Sequence, residues 1–146
     1  MNKISLAIPE YNTSQYFMDC IKYALEDDFV DEIVVNDDCS TESHFKNLID
    51  IIHSLNSTKI KLFRNQTNLN AFRNKYQTVF NCTNDWVYLL DSDNHPFEDT
   101  YKIIRGENFN ILLDNLRFIS DLRQLNLIRS EEHTSELQSP MYLVCR

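Results

Sequence analysis

Hydrophobic and polar positions alternate between two periods over the first 94 residues of the chain. Ile4, Leu6 and Ile8 recur at every second position, the period of a strand, and Pro9 is expected to break it. From Ser14 to Leu25 the apolar residues Phe17, Ile21 and Ala24 return at helical spacing, with Thr13 or Ser14 available as N-cap. Ile33, Val34 and Val35 form a short continuous apolar run, which predicts a strand covered on both faces. A second helical stripe follows in Phe45, Leu48, Ile49, Ile52 and Leu55, with Ser40 or Thr41 as its cap. Ile60 and Leu62 predict a third strand, and Phe72, Tyr76, Val79 and Phe80 a third helix. Trp86 to Leu90 is dense in β-formers and predicts a fourth strand. Strand and helix in strict alternation, with short connections, predict an α/β fold: a mainly parallel sheet flanked by helices. After Pro96 the pattern weakens; Ile111, Leu112, Leu116, Ile119 and Leu122 fit a helix that the pattern does not place on the sheet.

In an open parallel sheet, ligands bind beyond the carboxyl ends of the strands. The unusual polar residues fall at those ends: Pro9-Glu10-Tyr11-Asn12, Asn36-Asp37-Asp38-Cys39-Ser40, Asn65 through Asn70 followed by Arg73 and Asn74, and Asp91-Ser92-Asp93-Asn94. Asp91 and Asp93 are the sharpest pair, because two neighbouring carboxylates repel unless a cation or solvent relieves them. Hard divalent cations take such oxygen ligands, and Mg²⁺ or Mn²⁺ completes its shell with phosphates and water. An isolated acidic pair reads first as a solvated turn; at the exit of an apolar strand the metal reading is preferred. Of Asp37 and Asp38, one can cap the following helix and the other accept a hydrogen bond from a nucleobase ring N–H. Arg73 can face a phosphate or stand on the surface.

Composition narrows the classes. A chain of 146 residues is enough for one domain with a real core. Fourteen Lys and Arg against 22 Asp and Glu leave a net charge of −8, which gives no support to the basic face a nucleic-acid binder needs. The single glycine, Gly106, excludes a P-loop or a dinucleotide-binding turn. Cys20, Cys39, Cys82 and Cys145 include no CxxC pair and read as reduced thiols of a cytosolic protein. No apolar run reaches the roughly 18 residues of a membrane span, and MNKISLAIPEYN turns polar too soon for a signal peptide.

Residues 129–139, RSEEHTSELQS, resemble the conceptual translation of a sequencing-adapter oligonucleotide. The expected division is therefore 1–128 as the genuine part of the domain and 129–146 as a non-native tail, which removes His133 and Cys145 from any site.

From Ile4 to Asn94 the chain resembles the N-terminal half of a family 2 glycosyltransferase. The resemblance rests on ISLAIPEYN, EIVVNDDCST, NLNAFRNKY and WVYLLDSDN, in that order. It implies a partial GT-A (Rossmann-like) domain, truncated after the DxD motif. The implied activity is transfer of a sugar, with inversion, from a nucleotide-diphosphate donor of which a UDP-sugar is the first expectation. Pro9 and Tyr11 would line the nucleotide pocket and Asp38 would bind the base, typically uracil. Asp93 would be the direct ligand of Mn²⁺ or Mg²⁺, with Asp91 nearer the ribose or a metal-bound water. The cation would stabilise the leaving diphosphate.

Cys39 and Asn70 stand where the family usually has glycine. Asn enters the left-handed region readily, whereas Cys39 is expected to mean an ordinary turn. Inversion also needs a general base beyond the DxD motif, and Glu98 and Asp99 are too close to supply it. The fragment is expected to lack both the base and the acceptor site. Its expected partners are a nucleotide-sugar donor and an unknown acceptor, with no nucleic acid and no membrane span. The expected location is cytoplasmic, or at the membrane face if later segments of a full-length protein carry it there. Three alternatives share parts of the pattern. A nucleotidyltransferase has the sheet and acidic metal site, but PEYNTSQ is unlike its glycine- and lysine-rich first loop. A phosphoacceptor signalling domain carries its acid pair after strand one, and a non-catalytic α/β interaction domain would use these acids as caps and turns.

Overall fold

The computed structural model describes residues 3–105 and the backbone of 142–145. Strand β1 (Ile4–Glu10) leads through a short 3₁₀ turn (Ser14–Tyr16) into helix α1 (Phe17–Glu26). Strand β2 (Val30–Asp37), helix α2 (Glu42–Leu55), strand β3 (Ile60–Arg64), helix α3 (Asn70–Phe80), strand β4 (Trp86–Leu89) and helix α4 (Thr100–Arg105) follow. The sheet order is β3-β2-β1-β4-β5, parallel through the first four strands. Strand β5 (Tyr142–Cys145) runs antiparallel along the outer edge of β4, with Trp86 opposite Cys145 and Leu89 opposite Tyr142. The predicted helix over Ile111–Leu122 and the division at residue 128 fall outside the described residues.

Side-chain alternation on the central strands divides the core into two layers. Ile4, Leu6 and Ile8 of β1 and Ile33 and Val35 of β2 pack with Phe17, Cys20, Ile21 and Ala24 of α1, Leu48 of α2 and Tyr101 and Ile104 of α4. Ala7, Val34 and Val87 point to the other face, where Cys82 and Val79 cover them. Each fully buried aliphatic chain of this kind stabilises the fold by about 1.5–3 kcal/mol, so the larger layer holds the sheet together.

Two local expectations change. Pro9 does not end β1, which continues to Glu10 and pairs Pro9 with Asn36 and Glu10 with Asp37. The β4 ladder stops at Ala7, so beyond it β1 has a strand neighbour on one side only, and a missing N–H is tolerated there. Helix α3 has the predicted period, but Phe72, Tyr76 and Phe80 lie on its exposed face while Asn74 and Thr78 are its buried residues. The two residues α3 buries are therefore hydrogen-bonding ones, with Val79 beside them against the sheet.

Candidate functional site

The chain runs β1, β2, β3 outward in one direction and then returns to place β4 on the other side of β1. The crevice beyond the carboxyl ends of β1 and β4 is therefore the switch point of the sheet, where such folds bind ligands. A cleft of about 420 Å³ opens there. It is lined by Pro9, Glu10, Tyr11 and Thr13 after β1, Asp38 after β2, and Asp91, Ser92 and Asp93 after β4. Asn68, Asn70, Ala71, Asn74 and Lys75, from the β3–α3 connection and the first turns of α3, close the remaining side.

Pro9, Tyr11, Asp38, Asp91 and Asp93 are thus brought together on one cleft. Arg73 is not among them: it is exposed and stands on the same side of α3 as Phe72, Tyr76 and Phe80. Helical geometry accounts for this. Buried Asn74 and Thr78 define the inward face, to which Asn70, Ala71 and Lys75 belong and Arg73 does not. Lys75 takes the position of the cleft's cation, with Nζ 2.7 Å from Oδ1 of Asp91 and 3.0 Å from Oδ2.

Asp37 and Asp38 have separate duties, and neither caps α2. Thr41 is the N-cap residue of that helix and makes no side-chain cap bond. Asp37 is fully buried, accepts from the Ser40 backbone N–H at 3.3 Å and pairs with Arg64 Nε at 3.2 Å. Asp38 faces the cleft. Its Oδ1 accepts from Asn65 Nδ2 at 2.8 Å and from the Leu69 backbone N–H at 2.7 Å. No described residue donates to its Oδ2.

Behind Asp38 lies a connected set of amides. Asn36 Nδ2 donates to Asn74 Oδ1 at 2.7 Å and to Asn65 Oδ1 at 3.0 Å. Asn74 Nδ2 donates to the Asn36 carbonyl at 3.1 Å, and Asn81 Nδ2 to Asn36 Oδ1 at 3.0 Å. These bonds tie β2, the β3 exit and α3 together and fix the Asp38 carboxylate, since buried amides must be paired to avoid a desolvation penalty.

Glu10 is a cleft residue that the sequence pattern did not single out. It is buried, and it accepts from the Thr13 backbone N–H at 2.7 Å and the Thr13 hydroxyl at 2.7 Å. That commits the Thr13 proton, so Ser92 donates to Thr13 Oγ1 across 2.6 Å and joins the exits of β1 and β4. Burial raises the Glu10 carboxyl above its ordinary range; the Thr13 and Ser92 hydroxyls oppose this and the nearby Asp37 charge adds to it.

The turns that shape the cleft use left-handed backbone. Asn12, Cys39 and Asn70 have φ of 56°, 60° and 69°. The Cys39 turn is therefore not an ordinary one: a side chain occupies a conformation that favours glycine, held there by the flanking bonds of Asp37, Asp38 and Ser40.

Asp93 is exposed and makes no hydrogen bond or ion pair among the described residues. Those residues also hold no group of three or more His, Cys, Asp or Glu side chains able to surround a metal ion. A cation here would have an open carboxylate from Asp93 and would need its remaining ligands from phosphate and water, which is the usual arrangement for Mg²⁺.

A mainly parallel sheet with an acidic cleft at its switch point defines an open α/β domain with a ligand crevice. The model of the Glycosyl transferase family 2 matches residues 5–108, and the chain belongs to that family. No curated protein matches the chain. Among solved structures it is similar to residues 1–349 of S. aureus TarS in complex with UDP, with a TM-score of 0.57 and 23% identity over 83% of this chain and 33% of that one. It is also similar to the mannosyltransferase PcManGT from Pyrobaculum calidifontis, solved with GDP-Man and Mn²⁺, with a TM-score of 0.60 and 18% identity over 68% of this chain and 30% of that one. A third similar structure is GalNAc-T7 with UDP, GalNAc and Mn²⁺, with a TM-score of 0.56 and 21% identity over 63% of this chain and 18% of that one. These likenesses establish a partial GT-A-like fold, and the chain spans a third or less of each of those structures. Among the described residues no helix is long and apolar enough to cross a membrane.

Proposed function

We propose that this chain is the donor-binding part of a glycosyltransferase that transfers a sugar, with inversion, from a nucleotide-diphosphate donor. The observation that carries the reading is the convergence of four separate chain segments on one cleft at the switch point, with Asp38 at one end and Asp93 at the other. In this reading Asp38 Oδ2 accepts the ring N–H of a uracil, a role for which its Oδ1 bonds to Asn65 and Leu69 hold it rigid. Tyr11, half exposed at the lip of the cleft, and Pro9 flank the base. Asp93 holds the divalent cation, Mn²⁺ or Mg²⁺, and Asp91 stands beside the ribose or a metal-bound water. When bound, the cation neutralises charge on the departing nucleoside diphosphate. No described residue is assigned the role of general base.

Calorimetric titration of UDP and GDP, with and without Mn²⁺, into the parent chain and Asp93→Ala tests this. The expected result is UDP affinity that rises at least roughly tenfold with Mn²⁺ in the parent and does not in Asp93→Ala. Equal nucleotide affinity with and without metal overturns the reading, and a preference for GDP overturns the uracil assignment.

A further inference from the structure

Lys75 is the one basic side chain among the described residues that line the cleft, and it faces Glu10, Asp38, Asp91 and Asp93. Its ammonium touches both oxygens of Asp91, at 2.7 and 3.0 Å. Lys75 follows Asn74, whose amide is pinned between Asn36 and Asn65, so the start of its side chain is fixed relative to the strand exits. Both partners are partly exposed, 32% for Lys75 and 23% for Asp91, so the contact is reachable by a ligand and can be exchanged. The two acids of the DxD motif are therefore unlike. Asp91 already has a cation, and Asp93 has none among the described residues.

We propose that Lys75 is a positioning residue that makes cation binding depend on the nucleotide. By occupying Asp91 it prevents the two acids from forming a metal site on their own and assigns the divalent cation to Asp93. The remaining ligands must then come from the diphosphate, toward which the Lys75 ammonium can swing as the nucleotide arrives. The inference rests on the donor-site reading above. Its physical basis is competition of two cations for one carboxylate: whatever frees Asp91 raises its availability to metal, and whatever holds it lowers that availability.

The test measures Mn²⁺ binding by the electron paramagnetic resonance signal of the free ion, with and without UDP, on the whole chain. In the parent, Mn²⁺ is expected to bind weakly alone and more tightly with UDP. Lys75→Met is expected to raise nucleotide-free Mn²⁺ affinity about fivefold or more, and to lower metal-free UDP affinity by a similar factor. Lys75→Arg should restore parent behaviour. Asp91→Asn made in Lys75→Met should abolish that variant's gain. Nucleotide-free Mn²⁺ binding that is no tighter in Lys75→Met, or a gain in Lys75→Met that survives the added Asp91→Asn, overturns the proposal. A parent that takes up no additional Mn²⁺ with UDP overturns the donor-site reading itself, so the two failures are distinct.

Discussion

Glu32 shows how far a single buried acid can set the stability of this fold. Burial alone would raise its carboxyl, but hydrogen bonds from Lys61, Ser5 and Thr83 outweigh that and hold it at about 2, against an ordinary 4.5. Because the folded value lies below the unfolded one, the stabilisation is fully present above about pH 4.5 and is lost as pH falls toward 2. The contribution is about 3–4 kcal/mol, taken from the difference between those two values at ~1.4 kcal/mol per pH step of one. Glu32→Gln should therefore lower stability at pH 7 and flatten its decline over that window, measured by urea midpoints at a series of pH values. Parallel curves for parent and variant would contradict this origin of acid sensitivity. Cys39 offers the opposite case. Its φ of 60° imposes a left-handed conformation on a residue with a Cβ, a cost of about 1–2 kcal/mol that glycine avoids. Glycine also gives the unfolded chain more freedom, so Cys39→Gly should stabilise the fold by about 0.5–1 kcal/mol. Cys39→Val, with its branched Cβ, should destabilise it, and a denaturant midpoint that moves the other way for either variant refutes the strain argument.

At the scale of elements, α3 organises the site, and its contribution comes from polar residues. Asn74 bonds to β2 and to the β3 exit through Asn36 and Asn65, and Asn65 in turn holds Asp38. Asn74→Ala would leave the Asn36 amide short of a buried acceptor at a cost of about 1–3 kcal/mol. It should also weaken UDP binding, because Asp38 would lose its rigid backing. Calorimetry on the folded variant checks the second effect; UDP affinity equal to the parent's would show that the amide network serves the fold alone. This element also marks the limit of what the sequence displays. The order of strands and helices through β4 was legible because β1, β2, α1 and α2 bury apolar residues at clear periods. The Phe72, Tyr76 and Phe80 stripe was equally periodic, yet it lies outward: α3 instead buries Asn74, which donates to the Asn36 carbonyl of β2, and Thr78, whose hydroxyl donates to the Asn74 carbonyl within the helix. The same inversion moved the cleft's cation from Arg73 to Lys75, one helical face away. Tertiary pairing carried the rest: whether Pro9 ends β1 depends on where β4 stops, and no local signal encodes that. The roles of Asp37 and Asp38 likewise followed from Arg64 on a neighbouring strand.

At the scale of the whole molecule, the four acids of the cleft decide what chemistry the described residues can perform. Glu10 is buried and bonded to Thr13, Asp38 is bonded to Asn65 and Leu69, and Asp91 is paired with Lys75. The fourth, Asp93, is the carboxylate proposed for the cation. Each therefore has a duty on the donor side, and none is left to take a proton from an acceptor hydroxyl, the step that inverting transfer demands of a general base. The chain also spans only 33% of the TarS structure and 30% of the PcManGT structure. Binding and turnover should accordingly separate. With UDP-GlcNAc and Mn²⁺ the chain is expected to bind the donor, yet to release UDP no faster than the buffer does, with simple alcohols or sugars present as acceptors. A general base typically contributes a factor of about 10²–10⁴, so a chain acting without one would show a deficit large enough to read directly in a coupled UDP-release assay. Release above background that disappears in Asp93→Ala would mean that one of the committed acids is free to act as base, and Glu10, with its raised carboxyl, would be the first to replace.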